Sequence, residues 1–318
     1  LLCAMASAAL AEHQGRRRNF VTARALAALS LPVLWAGSLV GWDMQHHLLF
    51  GAMALALPLA WATHLWILRR QDEDGAALLN TARHVATAWT LLLSVGIEAG
   101  GWLADWLPGQ DLWGWLAWIL VWLIAGRTLH AALHDEEQTD AWPWAAAPEA
   151  YARAVLWPVA GLLLLTVVAL QFGHDGGSAL PYLPLASALD LASVAALLWL
   201  ARSGLLPVPL VGAAGLLWVS ALAARSVHHL AGVAWSATAM FQSTLLQATL
   251  SLTWALSALA LMVYATRRGT RTLWFAGFAL LAAVGAKMLM IDLAGAGTVE
   301  WTGSLLGIGA LILIASYV

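Results

Sequence analysis

The chain alternates between long apolar stretches and short polar gaps over its whole length. The hydrocarbon core of a bilayer is about 30 Å thick, and a helix needs about 20 residues to cross it. Ten stretches approach this length, and residues 1–10 look like the tail of a further, truncated span. The ten are residues 25–41, 48–68, 84–103, 112–129, 155–172, 185–201, 205–224, 245–265, 272–291 and 302–318.

These stretches predict helices, because only α-helices and closed β-barrels satisfy the backbone in lipid and the alternation of barrel strands is missing. The expected fold is therefore all-α: a polytopic transmembrane bundle of about ten membrane-spanning helices plus one truncated span. Residues 1–318 are expected to form a single transmembrane domain. Since the chain opens without Met and stops within an apolar run, we expect a fragment of a longer membrane protein.

Basic residues give the predicted bundle an orientation. Of the 15 Lys and Arg residues, all but Arg225 and Lys287 fall in alternate gaps. Loops rich in Lys and Arg stay on the cytoplasmic side of a membrane. The gaps that contain Arg16, Arg69 and Arg267 are therefore expected to be cytoplasmic, and the intervening gaps to face outward.

The composition is typical of a membrane protein and limits the classes of partner that the protein is expected to bind. Hydrophobic residues make up 62% of the chain, charged residues only 10%, and the mean hydropathy is +0.78. Many of the 20 tryptophans lie near the ends of apolar stretches, where their rings anchor helices at the lipid headgroups. We expect membrane lipids as partners and no nucleic acid, because the net charge is −2. The single cysteine, Cys3, excludes an intrachain disulfide and a cysteine-based metal cluster.

Charged residues inside the predicted spans are the best pointers to a functional site, because a charge in lipid is costly and usually faces the bundle interior. Glu98, Asp190 and Lys287 all lie in the outer halves of their spans, and Asp292 follows Lys287 at the exit. Asp190 is deep enough to require a partner or a protonated carboxyl. Lys287 either extends to the interface or forms an ion pair with Asp190 or Glu98.

The outer gap after residue 224 is the most distinctive. Arg225, His228 and His229 share one helical face through their i, i+3, i+4 spacing. Three alternatives are open for them: a helix end that contacts headgroups, a site for an anionic group, or a metal site. Gln247 belongs to a polar stripe with Ser243 and Ser251 on the next span. Residues 230–242 are too polar to span, and they are expected to lie along the interface or re-enter the bundle.

Other chemical signals are weak. His130 and His134 are spaced i, i+4 and precede the acidic residues 135–137, a combination that can hold a divalent metal. A solvated acidic loop is the stronger interpretation. P-loop, HExxH, GxSxG and CxxC motifs are missing from the sequence, so we expect no metal and no other cofactor, and we favour a non-enzyme.

The last third of the chain resembles a known family. The residues that carry the resemblance are Arg225, His228, His229, Leu230, Gly232, Ser243, Gln247, Ser251, Trp254, Arg267, Arg268, Arg271 and the segment WFAGFALLAAVGAKMLMIDLA with Lys287 and Asp292. This stretch is similar to the C-terminal part of the bacterial multi-pass membrane proteins grouped as domain of unknown function 2339. The resemblance implies a bacterial inner-membrane protein and carries over no catalytic residue.

The leading hypothesis is that the protein transports or handles an envelope solute or lipid-linked group through an outward-facing polar cavity. Arg225 with His228 or His229 would engage an anionic head, Lys287 would lie nearby, and Asp190 or Glu98 would be a protonatable partner. One alternative is a membrane transferase that uses a lipid-linked donor, with Asp43 or Glu98 as its outer carboxylate. Another is a non-catalytic scaffold that binds other envelope proteins through tryptophan-rich faces.

Overall fold

The computed structural model describes residues 1–45, 47–72, 77–107, 111–134, 141–173, 182–288, 290 and 309. In these residues the secondary structure is helical, which confirms the all-α class for this part of the chain. The helices are α1 (Leu2–Arg18), α2 (Val21–Ala27), α3 (Ser30–Gln45), α4 (Met53–Asp72), α5 (Ala77–Trp106), α6 (Asp111–His134), α7 (Pro148–Leu170), α8 (Ala188–Ser203), α9 (Val208–Ala231), α10 (Ala237–Gln242), α11 (Thr244–Arg268) and α12 (Arg271–Lys287).

Five segments are long and apolar enough to cross a membrane, by length and composition, in the described residues: Val21–Val40, Trp113–His134, Pro148–Leu170, Val208–Ala231 and Thr244–Arg268. This is fewer than the ten predicted. Of the other predicted spans, α8 and α12 form helices of only 16 and 17 residues. Polar side chains on α4 and α5 lower the hydropathy of those two helices. The stretch 302–318 lies outside the described residues, apart from residue 309.

The chain divides into two compact units. Unit 1 comprises Leu1–Leu170 and Ala192–Val208, and unit 2 comprises Gln171–Leu191 and Pro209–Val318. In unit 1, α1 packs against α2 and α4, and α6 packs against α5 and α7. In unit 2, α11 and α12 form a tight hairpin around Ala258 and Met262, which are fully buried. The expectation of one transmembrane domain stays a prediction.

Local signals explain how the α11–α12 hairpin begins and turns. Ser243 caps α11, because its hydroxyl accepts a hydrogen bond from the Leu246 backbone N–H at 3.2 Å. Gly269 ends α11 in the left-handed conformation with φ 65°, which glycine adopts at little cost. Thr270 then begins α12 in the opposite direction. The preceding segment, predicted not to span, contains only the six-residue helix α10.

Candidate functional site

A fully buried ion pair lies at the centre of the candidate site in unit 2. Arg225 on α9 donates from Nη2 to Oδ1 of Asp190, in the first turn of α8, at 2.7 Å. Both side chains have 0% exposure. The sequence predicted either a partner or a protonated carboxyl for Asp190, and in the structure Arg225 is its partner. The two charges neutralise each other, as a buried charge requires.

Neutral side chains supply further hydrogen bonds to this ion pair. Gln171 Oε1 lies 3.3 Å from both Nη1 and Nη2 of Arg225. Asp190 accepts further hydrogen bonds from Trp218 Nε1 at 3.1 Å and from the Ser187 hydroxyl at 2.9 Å. Arg225 Nε is buried and makes no hydrogen bond within the described part of the chain.

The two histidines extend this site toward the end of α9. His228 Nδ1 lies 2.6 Å from the carbonyl oxygen of Val233, and its ring packs against Trp235. His229 stacks on Tyr182 with ring centroids 4.5 Å apart. Burial raises the pKa of the Tyr182 phenol, so this hydroxyl is protonated at neutral pH. Arg225, His228 and His229 all lie on α9, and their use as a binding site stays a prediction.

Metal coordination receives no geometric support in the part of the chain that the structure describes, where no group of three or more His, Cys, Asp or Glu side chains is arranged to hold an ion. His130 and His134 stack with centroids 4.2 Å apart, and His134 Nδ1 contacts the His130 carbonyl oxygen at 2.9 Å. The acidic residues 135–137 lie outside the described residues.

Lys287 joins the predicted polar stripe of α11. Its Nζ donates to the Gln247 carbonyl oxygen at 3.0 Å and to the Ser251 hydroxyl at 2.8 Å. Gln247 and Lys287 are therefore brought together as candidate residues, although the Gln247 amide itself donates to the Phe241 carbonyl. Asp190 bonds to Arg225 instead of forming the ion pair with Lys287 that we considered. Asp292 lies outside the described residues.

Glu98 belongs to a separate cluster in unit 1. Its carboxylate accepts hydrogen bonds from the backbone N–H groups of Leu48 and Leu49 at 2.6 and 3.2 Å, and from Trp102 Nε1 at 2.6 Å. His47 lies beside it, with Nδ1 3.7 Å from Glu98 Oε1 and Nε2 2.9 Å from Asp105 Oδ2. Asp105 is 64% exposed, so this chain of groups leads from solvent to a buried carboxylate.

At the other end of α5 lies a polar cluster that sequence reasoning missed. His84 is fully buried, and its Nε2 lies 3.0 Å from both carboxylate oxygens of Asp72. Its Nδ1 lies 3.0 Å from the Tyr151 hydroxyl. Because a carboxylate only accepts hydrogen bonds, Nε2 donates to Asp72 and Nδ1 accepts from Tyr151. Trp142 also donates to Asp72, at 2.8 Å.

Between these two clusters, α5 carries the buried hydroxyl groups of Thr87 and Thr90. His64 on α4 is fully buried between the Ser30 hydroxyl, 2.8 Å from Nδ1, and the Thr87 hydroxyl, 2.9 Å from Nε2. One turn further along α5, Thr90 accepts from Trp35 Nε1 at 2.6 Å. The available signal was the recurrence of polar residues at 84, 87, 90, 94 and 98, every three or four residues along one helix.

A further buried network surrounds Glu12, which is fully buried on α1. Its carboxylate accepts from Gln71 Nε2 at 2.6 Å and lies 3.6 Å from Nε of both Arg16 and Arg24. Gln71 Oε1 in turn accepts from Arg83. Three arginines from the gaps predicted to be cytoplasmic, Arg16, Arg24 and Arg83, therefore belong to an internal network. This network holds α1 against α4.

An apolar cavity of about 310 Å³ lies beside α5 in unit 1. Glycines of α5 and α6 form part of its lining together with Trp42, Trp115 and Trp118. Such a lining suits hydrocarbon better than a charged group. The transferase hypothesis needs a carboxylate at the base of a groove, whereas Glu98 is engaged by the Leu48 and Leu49 amides.

Long apolar helices whose buried faces carry ion pairs and hydrogen-bonded polar groups define a polytopic helical membrane protein. Comparison with family models gives the particular family: the chain belongs to the family described as Predicted membrane protein (DUF2339), whose model matches residues 1–318. The resemblance seen in the last third of the sequence is thus confirmed and extends over the whole chain. No curated protein and no solved structure matches the chain.

Proposed function

We propose that the protein transports or handles an anionic envelope solute or lipid-linked group in the bacterial inner membrane. The observation that carries the proposal is the Arg225–Asp190 ion pair, which has 0% exposure on both sides. Ionisable side chains in membrane-embedded helices are rare and usually functional. A buried arginine is also well suited to a carboxylate or phosphate, because its planar fork donates two parallel hydrogen bonds.

Ligand exchange at Arg225 is the proposed chemistry. A carboxylate or phosphate on the ligand replaces Asp190 as the partner of the guanidinium, and Asp190 takes up a proton when it is released. The uncharged Asp190 carboxyl then remains hydrogen-bonded to Ser187 and Trp218, which already contact it. His228, His229 and the Lys287–Gln247 contact supply further polar groups in unit 2. Net charge in the site is conserved, which keeps the exchange compatible with burial.

The number of helices that cross the membrane is also part of this proposal. We propose that α4, α5, α8 and α12 cross the bilayer in addition to the five segments of sufficient length and hydropathy, and that residues 302–318 supply the tenth span. Support comes from the segregation of Lys and Arg into alternate gaps. Large exposed apolar side chains on α5, such as Leu91, Leu93 and Val95, also favour contact with lipid.

A matched set of variants separates ligand binding from packing. The double variant Asp190→Asn with Arg225→Gln removes both charges together and keeps a polar amide at each position, so it avoids an unpaired buried charge. Protein purified from native membranes is extracted and analysed by mass spectrometry. We expect the wild-type protein to retain a molecule that bears a carboxylate or phosphate, and the folded double variant to lose it.

The scaffold hypothesis gives the opposite result in the same experiment. In a scaffold the Arg225–Asp190 pair only stabilises the packing within unit 2, so wild type and double variant yield identical extracts. That outcome overturns the proposed ligand exchange. Exposed Glu149→Gln on α7, whose carboxylate is 84% exposed, is the control for an effect of charge removal in general.

A further inference from the structure

One face of α5 is polar and buried from His84 to Glu98, through the middle half of the helix. His84, Thr87, Thr90 and Glu98 are exposed by no more than 7%. The apolar residues Leu91, Leu93, Val95 and Ile97 on the same helix are between 37% and 47% exposed. This arrangement is the reverse of a helix in a water-soluble protein. Apolar residues toward lipid and polar residues toward the interior are the arrangement of a membrane helix that lines a polar path.

Similar pairs of groups lie at the two ends of this face. At one end, Asp72 has a 16% exposed side chain and contacts fully buried His84 at 3.0 Å. At the other end, Asp105 is 64% exposed and contacts His47, itself only 10% exposed, at 2.9 Å. Each end thus has a carboxylate that reaches the surface and a histidine that connects it to the interior. Histidine can accept a proton on one ring nitrogen and release one from the other.

Hydroxyl and imidazole groups lie between these two ends. From His84, one helical turn leads to Thr87, which bonds to His64 and through it to Ser30. Thr90, whose hydroxyl accepts from Trp35 and donates to the Ala86 carbonyl oxygen, follows on the same face, then Ser94, then Glu98. His84 and Glu98 are 14 positions apart in the sequence, which corresponds to about 21 Å along the helix axis at 1.5 Å per residue. Hydroxyls suit proton transfer because each one both donates and accepts a hydrogen bond.

We propose that the buried face of α5 is a proton path through unit 1, with Asp72–His84 and Asp105–His47–Glu98 as its terminal proton-binding groups. A proton enters at one carboxylate, passes to the adjacent histidine, and moves to the opposite end through water molecules that bridge the hydroxyls of Thr87, Thr90 and Ser94, since side chains three or four residues apart on a helix are about 5–6 Å from one another. The path is distinct from the Arg225 site, since all of its residues belong to unit 1.

Other charged or titratable side chains contact or adjoin each terminal group of the path. His84 is contacted by Asp72 from α4 and Tyr151 from α7, and Arg83 precedes it on α5. Glu98 is contacted by His47, and Asp105 lies beyond that histidine. An acidic group near each histidine stabilises the protonated imidazole that forms when a proton passes. Both ends can therefore hold a proton briefly without leaving an isolated positive charge in the interior.

Proton flux into liposomes tests this path without any solute. The purified protein is reconstituted into vesicles of phosphatidylethanolamine and phosphatidylglycerol that contain a pH-sensitive dye. A potassium diffusion potential set with valinomycin then drives protons inward. We expect vesicles with wild-type protein to acidify severalfold faster than protein-free vesicles. Thr87→Val removes one hydroxyl with almost no change in shape, and we expect it to abolish most of the additional flux.

Matched substitutions show whether the proton flux depends on the hydroxyl and carboxyl groups of the proposed path. Thr87→Ser keeps the hydroxyl and should retain the flux, whereas Glu98→Gln removes a terminal proton acceptor and should lose it. Thr128→Val on α6 is the control, because Thr128 is exposed and bonds only to carbonyls of its own helix among the described contacts. Wild-type acidification equal to that of protein-free vesicles overturns the proposal. Full flux in both Thr87→Val and Glu98→Gln also overturns it.

The result is separable from the proposed ligand exchange. Because the assay contains no anionic solute, a failure of proton flux leaves the Arg225 site untouched. Conversely, loss of the copurifying molecule in the Asp190 and Arg225 double variant does not depend on proton movement along α5.

Discussion

At the scale of single residues, the buried charges of this protein are held by specific partners from other parts of the chain. Arg225 is neutralised by Asp190, and Glu12 lies between Arg16, Arg24 and Gln71. Removal of one member of such a pair leaves a charge in a medium that solvates it poorly. The energetic consequence therefore depends on which member is removed and whether its partner is neutralised at the same time.

Asp190→Asn alone should strongly destabilise the protein, by about 3–5 kcal/mol, because it leaves the Arg225 guanidinium buried and unpaired. Thermal unfolding in detergent micelles measures the effect. Glu149→Gln removes a carboxylate of an exposed pair with Arg153, in which the side chains are 84% and 82% exposed, and should change the unfolding temperature little. Equal unfolding temperatures for Asp190→Asn and Glu149→Gln would contradict the assigned role of the ion pair.

At the scale of helices, close packing depends on glycines at contact points. Gly277 on α12 faces α11, where an added Cβ would lie 2.6 Å from Met262 Cγ and 3.0 Å from the Ala258 carbonyl oxygen. The latter contact involves backbone, which cannot move aside alone. Gly285 on the same helix has no such neighbour within 4 Å in the described structure. Small residues at helix interfaces are the usual means of close approach in membranes.

Gly277→Ala should therefore destabilise the α11–α12 hairpin by about 1–3 kcal/mol through overpacking. Gly285→Ala on the same helix should be neutral or slightly stabilising, because alanine favours helix and meets no neighbour. Both variants are compared by thermal unfolding in the same detergent. The quantity compared is the unfolding temperature, which we expect to be lower for Gly277→Ala than for Gly285→Ala. Equal unfolding temperatures for the two variants would show that α11 and α12 do not pack as described.

The sequence predicted helix positions better than it predicted which residues meet. Apolar length predicted the 84–103 stretch, which lies within α5, and helical spacing placed Arg225, His228 and His229 on one helix, which is α9 in the structure. The depth of Asp190 in its predicted span also indicated that it has a partner or a protonated carboxyl. The partner itself, Arg225, comes from another helix, and spacing along one helix carries no information about such a contact. For the same reason the sequence did not reveal the Asp72–His84–Tyr151 chain, which joins three separate helices.

For the molecule as a whole, the proposed topology requires that successive helices cross the membrane in alternating directions. The α11–α12 turn contains the basic residues Arg267, Arg268 and Arg271, whereas Lys287 lies at the opposite end of α12. At 1.5 Å per residue, the 17-residue length of α12 separates its two ends by about 24 Å. This separation suits the predicted sidedness, with the arginine turn in the cytoplasm and Lys287 toward the outer surface.

Sidedness is tested most directly by cysteine labelling on either side of α11. In a Cys3→Ser background, Leu230→Cys lies beyond the end of the α9 apolar core and Thr270→Cys lies in the turn after α11; both positions are exposed. Spheroplasts are treated with a membrane-impermeant maleimide before and after disruption of the membrane. We expect Leu230→Cys to be labelled in intact spheroplasts and Thr270→Cys only after disruption. Labelling of both positions in intact spheroplasts would contradict it.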